Sequence, residues 1–311
     1  MAIQVNTNVS SLMTQRVAVN QTNQLTNIYN RLASGNRINS AKDDAAGLQI
    51  SDRLLSQIAG LFQGNRGSND GLAFAQTAEG AMDEMSGMLQ QARSLAVQAA
   101  NGTNTAQDRQ ALQTQANQLF SEIDRIAQDT TYGGKQLLAG ATADSIYGNA
   151  GAPQNADGTT PAGDMTLQVG ANAGDTIDFS VDSFQIADLV QNADAESAGV
   201  VLDQATNTVS VDFSSSGNAQ AAIGSIDAMI AQVDSQRSEL GAIQNRLDST
   251  INNQSNVAIN EADARSRIYD TDYASETSNM AQRNILEQAA IAMMIHARNR
   301  PQSTLQLLGA M

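Results

Sequence analysis

One short motif in this 311-residue chain has the spacing of a nucleotide-binding loop. Gly133-Gly134-Lys135 is similar to the end of a phosphate loop, which needs a glycine five residues before its Gly-Lys pair and a serine or threonine after it. Asp129 occupies the first of these positions, and Gln136 occupies the second. The sequence therefore predicts no nucleotide site.

Asp43 and Asp44 are adjacent carboxylates that could act as an acid–base pair. However, Ser40-x-x-Asp43 also has the spacing of a capping box, in which serine and acid satisfy free backbone N–H groups at the start of a helix. We favour the cap, because it is the plainer interpretation of this spacing. No catalytic residue is predicted here.

The residue inventory also argues against catalysis. The chain has no cysteine and a single histidine, His296. This excludes thiol nucleophiles, Cys-ligated zinc and iron–sulfur clusters, and it leaves no multi-histidine metal site. Arg298 and Arg300 lie close to His296 in the sequence, but no carboxylate does, so we interpret the histidine as structural. We expect a protein that is not an enzyme and has no cofactor or metal.

Charge and hydropathy limit the possible partners. The net charge of −15 disfavours nucleic acid. Residues 141–216 contain 11 acidic residues and no basic residue, which is typical of a solvent-facing segment. No run of 18 apolar residues predicts a membrane span, and the start lacks the basic-then-apolar order of a secretory signal. These features alone would favour a cytoplasmic protein without membrane contacts.

Two segments have apolar residues at the alternating three- and four-residue spacing of packed helices. Asn101-Gly102 follows the first segment and predicts a reversal. Thr105-x-x-Asp108 then forms a capping box that begins the second helix. The apolar positions are Ala75, Ala78, Met82, Met85, Leu89, Ala92, Ala96 and Ala99 in the first, and Leu112, Ala116, Leu119, Ile123 and Ile126 in the second.

A third segment repeats this spacing from Ile223 to Ala258 and predicts a helix of roughly 45 residues, near 65 Å long. Three of its eleven positions are polar, namely Arg237, Gln244 and Gln254. Polar residues at such positions set the register or the choice of partner. The chain has only three prolines, which permits helices of this length.

Between the helical segments, residues 166–170, 176–182 and 208–213 alternate apolar and polar side chains as strands do. Residues 171–175 supply a turn between the first two. This insert is small, and we expect its core to be thin. The predicted fold is mainly α, a long antiparallel coiled-coil or helical-bundle rod with paired terminal helices and a small β-hairpin insert.

Both ends of the chain carry apolar arcs outside the three patterned helices. Alone, neither end buries enough surface to offset its ordering entropy, so we expect both to be mobile in the monomer and to order on association. The candidates for packing between subunits are Val5, Val9, Leu12, Leu25, Ile28, Leu32, Ile285, Ile291, Met294, Ile295, Leu305 and Leu308.

Several long motifs, in the same order along the chain, closely resemble bacterial flagellin. The N-terminal hallmark is the most specific of them. The motifs are Leu32-Ala-Ser-Gly35, residues 37–50 (RINSAKDDAAGLQI), Asn69-Asp-Gly71, residues 75–81 (AQTAEGA), residues 167–174 (LQVGANAG), residues 267–273 (RIYDTDY) and Glu276-Thr-Ser-Asn279. The resemblance covers roughly residues 1–181 and 217–308.

The resemblance implies a division into three parts. Residues 1–42 and 269–311 would pair as a terminal coiled-coil inner domain of a helical filament. Residues 43–182 and 217–268 would form a helical rod domain with β-hairpins, and residues 183–216 would be a short variable outer segment.

By the same resemblance, the chain would be a structural subunit that polymerises with itself into the extracellular flagellar filament, a tube that transmits motor torque for swimming. It would be secreted unfolded through the flagellar type III apparatus, without a cleaved signal. Its partners would be the export chaperone, the filament cap and the hook-junction proteins. The alternative within this family is a hook–filament junction protein.

The resemblance also includes a receptor epitope. Residues 89–96 (LQQARSLA) are similar to the segment of enteric flagellins that the vertebrate flagellin-sensing Toll-like receptor detects. This chain retains Leu95 but has Gln91 and Gln115 where enteric flagellins carry arginine and glutamate. We therefore expect weakened detection by this receptor.

Overall fold

The computed structural model describes residues 7–147, 160–203 and 208–308, with side chains described up to residue 300. Within these ranges it is mainly helical, with three two-stranded antiparallel sheets. The helices are α1 (Val9–Ser34), α2 (Ala45–Ala99), α3 (Ala106–Asp129), α4 (Ile186–Asn192), α5 (Ser216–Tyr269) and α6 (Tyr273–Leu308). The strands are β1 (Thr131–Tyr132), β2 (Lys135–Gln136), β3 (Gly163–Gln168), β4 (Thr176–Val181), β5 (Val200–Asp203) and β6 (Thr208–Val211).

The chain divides into two compact units. The terminal unit comprises Met1–Ile58 and Ala258–Met311, and the central unit comprises Ala59–Val257. Each unit is described separately below.

The heptad-spaced residues of α2 form the core of the central unit. Every apolar position predicted between Ala75 and Ala99 is fully buried. They pack in one cluster with α3, α5 and the strands, because the apolar stripe of α2 is too wide for a single partner helix. The mainly helical fold predicted from this spacing is confirmed.

Polar side chains fix the pairing of α2 with α5. Arg237 forms an ion pair with Asp83 at 2.8 Å, and Gln244 Nε2 donates to Glu79 Oε2 at 2.7 Å. Arg237 precedes Gln244 on α5, whereas its partner Asp83 follows Glu79 on α2. The two helices are therefore antiparallel. Two of the three polar residues predicted to set register thus join α5 to a defined partner helix.

The reversal between α2 and α3 follows the predicted local chemistry. Asn101 Oδ1 accepts from the backbone N–H of Thr103 at 3.2 Å and tightens the turn. Thr105 Oγ1 then accepts from the backbone N–H of Asp108, whose carboxylate accepts from the backbone N–H of Thr105 at 2.9 Å. This reciprocal pair is the predicted capping box, and it is confirmed.

The two hairpins on either side of residue 150 have different origins in the sequence. β3 and β4 pair in antiparallel register as predicted, with Leu167 opposite Ile177. The β1–β2 hairpin was not predicted. Its turn is Gly133-Gly134, where φ is 60° and 81°. Two consecutive positive φ values are the requirement of a type I′ turn, which explains the glycine pair that resembled a phosphate loop.

The large apolar side chains of the insert pack into the central core rather than into a separate one. Phe184, Leu189 and Phe213 are fully buried and belong to the same hydrophobic cluster as α2. The short helix α4 and strand β5 were not predicted, and both present buried side chains to this cluster. The segment after β4 is therefore anchored by burial against the central core rather than by a core of its own.

Candidate interaction surface on the terminal helices

Local caps define the first terminal helix. Asn8 Oδ1 accepts from the backbone N–H of Ser11 at 3.1 Å, which satisfies a free donor at the start of α1. Gly35 ends the helix with φ of 74°, and its N–H donates to Arg31 O at 2.8 Å. Glycine adopts this left-handed conformation without the steric cost that other residues incur.

Helix α6 is capped by Asp272, the residue before it, whose Oδ1 accepts from the backbone N–H groups of Ala274 and Ser275 at 2.9 and 3.2 Å. A negative carboxylate at this end also suits the helix dipole. Both terminal helices therefore have sequence-encoded starts.

Polar contacts along the whole length hold α1 against α6. Asn8 Nδ2 donates to Ala297 O at 2.7 Å near the start of α1. Arg31 forms an ion pair with Glu276 at 3.3 Å near its end, and Glu276 is almost fully buried. The pairing is therefore antiparallel. Sequence reasoning did not identify Glu276 as a pairing residue, although its motif had been recognised.

The apolar residues of α1 lie on two different faces. Leu25 and Ile28 are 3% and 7% exposed and lie in the buried part of the terminal unit. In contrast, Val9 and Leu12 face outward, and Leu12 is 57% exposed. Leu32 is half-buried. The candidates predicted as one set thus separate into residues buried within the chain and residues left on its surface.

Helix α6 also has an outward apolar face. Ile285, Ile291 and Ile295 are exposed, and Met294 is half-buried. A groove of about 360 Å³ between the two helices is lined by Val19 of α1, by Ile291 and Met294 of α6 and by polar neighbours. We use the name outer face for the exposed and half-buried apolar side chains on α1 and α6, namely Val9, Leu12, Met13, Val19, Ile285, Ile291, Met293, Met294 and Ile295. Several large apolar side chains exposed on one helix pair indicate a site of interaction.

Three predicted packing residues are outside this description. Val5 precedes the described residues, and the side chains of Leu305 and Leu308 are beyond the described side chains. Met13 and Met293 were missed, although both are prominent on the outer face. Met13 follows the predicted Leu12, and Met293 precedes the predicted Met294. A search for one line of apolar residues along a helix does not find the residues next to that line.

The segment between α1 and α2 corrects the interpretation of Ser40 and Asp43. Asp43 Oδ2 accepts from the backbone N–H groups of Asn39 and Ser40, at 3.1 and 3.0 Å, and these bonds lower the pKa of Asp43. They close a turn, and α2 begins only at Ala45. The cap predicted at Ser40 is therefore wrong.

The cap of α2 is supplied by the second acid of the pair. Asp44 Oδ1 accepts from the backbone N–H of Gly47 at 2.9 Å. Backbone capping thus accounts for both adjacent carboxylates. The same hallmark segment is bound to the end of α5, because the backbone N–H of Arg37 donates to Tyr269 O at 2.7 Å.

The other residues singled out in the sequence lie on the surface. His296 and Arg298 are exposed on α6. Gln91 and Gln115 are exposed on α2 and α3, whereas Leu95 is half-buried and packs against the core. Among the described residues, no helix is long and apolar enough to cross a membrane. Nor do three or more His, Cys, Asp or Glu residues cluster as metal ligands anywhere in these ranges.

Two solved structures of flagellar proteins are similar to this chain, and the first of them shares its fold. A putative flagellar hook-associated protein from Vibrio parahaemolyticus superposes with a TM-score of 0.54 at 18% identity, over 73% of this chain and 100% of that chain. The crystal structure of Bacillus cereus flagellin gives a TM-score of 0.44 at 26% identity, over 61% of this chain and 88% of that one.

Comparison with known sequences extends over the whole chain. Flagellin A of Vibrio anguillarum is 39% identical over 378 aligned positions, which cover 99% of this chain and 100% of that protein. Polar flagellin F of Vibrio parahaemolyticus serotype O3:K6 is 37% identical with the same coverage. Residues 5–143 match the bacterial flagellin N-terminal helical region, and residues 223–308 match the C-terminal helical region. The chain therefore belongs to the bacterial flagellin family, structural proteins rather than enzymes, which polymerise into the extracellular filament of the flagellum.

Proposed function

We propose that the outer face of α1 and α6 is the surface through which copies of this chain pack in the filament. The observation that carries the proposal is the exposure of Leu12 and Ile291 in a protein that buries the apolar seams of its central unit almost completely. Each helix of the pair buries some of its apolar residues against the other helix and leaves others exposed. The exposed residues are available to a partner.

The energetics favour repetition of this contact. Burial of one large aliphatic side chain contributes about 1.5–3 kcal/mol, so half-exposed residues such as these contribute on the order of 1 kcal/mol each. Several such residues per subunit, repeated along a non-closing head-to-tail interface, stabilise a long polymer. The proposed interface residues are Val5, Val9, Leu12, Ile285, Ile291, Met294, Ile295, Leu305 and Leu308.

The division of labour that we infer follows the resemblance. Residues 1–42 and 269–311 form the assembling inner part, and residues 43–182 and 217–268 form the supporting rod. Residues 183–216 form the short outer segment. Paired helices stiffened by buried seams suit a tube that transmits torque.

We also infer that the chain leaves the cell unfolded through the flagellar type III apparatus. The apolar residues of α6 are then the segment that a cytosolic chaperone covers before export. A cap at the filament tip and hook-junction proteins at its base complete the set of partners. Support comes from the family resemblance and from the apolar character of the C-terminal helix.

Electron microscopy of concentrated, seeded protein tests the central proposal. We expect wild-type protein to form long tubes, and Leu12→Asp or Ile291→Asp to remain monomeric, because each buries an unpaired charge at the interface. Ser238→Asp adds the same charge to an exposed position of the central unit and should assemble as wild type does. Wild-type protein that stays monomeric, or that only blocks the ends of existing filaments, would reject the filament-subunit function.

A further inference from the structure

The methionines of this chain differ sharply in their exposure. Met13 of α1 and Met293 of α6 are 68% and 58% exposed, whereas Met82, Met85 and Met229 in the central core are fully buried. A methionine thioether is apolar and fits a hydrophobic contact, but its sulfur is open to oxidants wherever solvent reaches it. The fold thus separates reactive from protected sulfurs within one chain.

The two exposed methionines lie at the same level of the terminal helix pair. Two contacts between α1 and α6 fix the register of the pair on either side of these methionines. Asn8 contacts Ala297, and Arg283 Nη1 donates to Gln21 Oε1 at 3.2 Å. Met13 is five residues beyond Asn8 along α1, and Met293 is four residues before Ala297 along the antiparallel α6. Both side chains therefore lie at the same level along the helix pair and belong to its exposed apolar surface.

We propose that Met13 and Met293 form an oxidation site that controls assembly, so that a peroxide converts a polymerising subunit into one that cannot add to a filament. This inference rests on the proposed role of the outer face. Hydrogen peroxide transfers one oxygen atom to each sulfur. The S–O bond forms as the O–O bond breaks, the sulfur loses two electrons, and the peroxide is reduced to water.

Oxidation opposes assembly because it places a strong hydrogen-bond acceptor in an apolar contact. Val9, one turn before Met13 on α1, offers no side-chain donor to a sulfoxide oxygen. The donors one turn after the methionines, Arg16 and His296, are exposed and would have to leave solvent to bond it. A polar group buried without a partner destabilises the interface that buries it. The fold of the free subunit is unaffected, because the outer face contributes no buried core and the core methionines are protected. Methionine sulfoxide reductases reverse the reaction, so the site acts as a switch rather than as damage.

The experiment oxidises the full-length monomer with hydrogen peroxide, removes the peroxide with catalase and then adds seeds. Peptide mass spectrometry should find oxygen added to Met13 and Met293 before Met82 and Met85, and the seeded elongation rate should fall several-fold as these two sulfoxides accumulate. Circular dichroism should show unchanged helix content. Treatment with methionine sulfoxide reductases should restore elongation.

The matched variant is Met13→Leu with Met293→Leu, which keeps the apolar volume and removes both sulfurs. Its elongation should be far less sensitive to peroxide than that of wild type, because only the half-buried Met294 remains as a sulfur in the described part of the interface. The inference would be overturned if oxidised wild-type protein elongated at the untreated rate. It would also be overturned if peroxide slowed the elongation of the double variant as much as that of wild type. Because repair is measured on wild-type protein, the test stands even if the double variant assembles poorly. Untreated wild-type protein that does not elongate contradicts the proposed function instead.

Discussion

Gly64 of α2 lies directly against the carbonyl group of Val169, the residue that follows β3. A Cβ on Gly64 would lie 2.7 Å from the carbonyl carbon of Val169 and closer still to its oxygen. The same oxygen accepts a hydrogen bond from Gln254 Nε2 on α5. The end of β3 is therefore held between two helices, and the absence of a side chain on one of them makes this possible.

We expect Gly64→Ala to lower the free energy of unfolding by about 1–3 kcal/mol, the usual cost of overpacking a filled site. Glycine is otherwise a poor helix residue, less favourable than alanine by about 1 kcal/mol in a helix interior. Gly80 is the matched control, because a Cβ at that position of the same helix meets no atom within 4 Å. Gly80→Ala should therefore stabilise the protein by up to about 1 kcal/mol.

Urea unfolding followed by circular dichroism measures both variants. The two substitutions are chemically identical, so opposite signs isolate the contact with Val169 from helix propensity. Stabilisation by both would show that the end of β3 moves aside at little cost.

The capping box of α3 predicts a pH dependence of stability. The hydroxyl and then the backbone N–H of Thr105 donate to Asp108 and lower its pKa below the ordinary value of 3.8. A carboxyl whose pKa is lower in the folded state stabilises the fold above its unfolded pKa. This contribution is lost as the pH falls through the folded pKa.

Asp108→Asn should therefore destabilise the protein at neutral pH, and the difference from wild type should narrow as the pH falls from about 5 to about 2. Urea unfolding at a series of pH values measures this. Gln107→Ala, at the neighbouring exposed position in the first turn of α3, should leave the pH slope unchanged. If the free energies of unfolding of Asp108→Asn and wild type differed by the same amount at every pH, Asp108 would not be the source of the pH dependence.

Local and repetitive patterns were sufficient to predict much of this fold. The α2 seam and the box of Thr105 and Asp108 need only neighbours in sequence, and both are as predicted. Ser40 and Asp43 have equivalent spacing, yet they close a turn, because Asp44 supplies the cap one residue later. A capping motif specifies the hydrogen bonds of its acid but not the backbone path after it.

Elements that depend on distant contacts could not be predicted. Helix α4 has only seven residues, too few to be stable alone, and it persists because Leu189 and Val190 are buried in the central core. The two faces of α1 present the same difficulty. Nothing local distinguishes Leu25 from Leu12, and only the pairing with α6 decides which residue is buried.

That difference between Leu25 and Leu12 is itself testable. Because α1 packs on α6 within a single chain, the two ends order each other without a second subunit, contrary to our expectation from the sequence. Leu25→Ala should therefore lower the free energy of unfolding of the monomer by about 2–5 kcal/mol, because it leaves a cavity in the terminal unit. Leu12→Ala should change monomer stability by less than about 0.5 kcal/mol, as surface substitutions usually do. It should instead raise the critical concentration for assembly.

Thermal unfolding of the monomer and sedimentation of filaments at graded concentrations give the two measurements. The same substitution at two leucines of one helix is its own control. Equal effects of both variants on monomer stability would show that Leu12 is also packed within the chain.

The exposed glutamines of α2 and α3 lead to a prediction about detection by the vertebrate flagellin-sensing Toll-like receptor. Because Gln91 and Gln115 project from the surface, they can be changed without disturbing the buried seam. We expect wild-type monomer to be a weak activator in a reporter assay compared with an enteric flagellin. Gln91→Arg with Gln115→Glu should increase its potency, because charged hydrogen bonds to a receptor are about twice as strong as neutral ones.

Gln76→Arg is the matched control, since it adds the same positive charge to an exposed position of α2 outside residues 89–96. It should leave potency unchanged, which would exclude a general effect of an arginine added to the surface of α2. Leu95 is half-buried against the core and is the same residue in every variant, so any gain belongs to the two exchanged side chains. Wild-type potency equal to that of the enteric protein would mean that Leu95 and its apolar surroundings are sufficient for recognition without the charged pair.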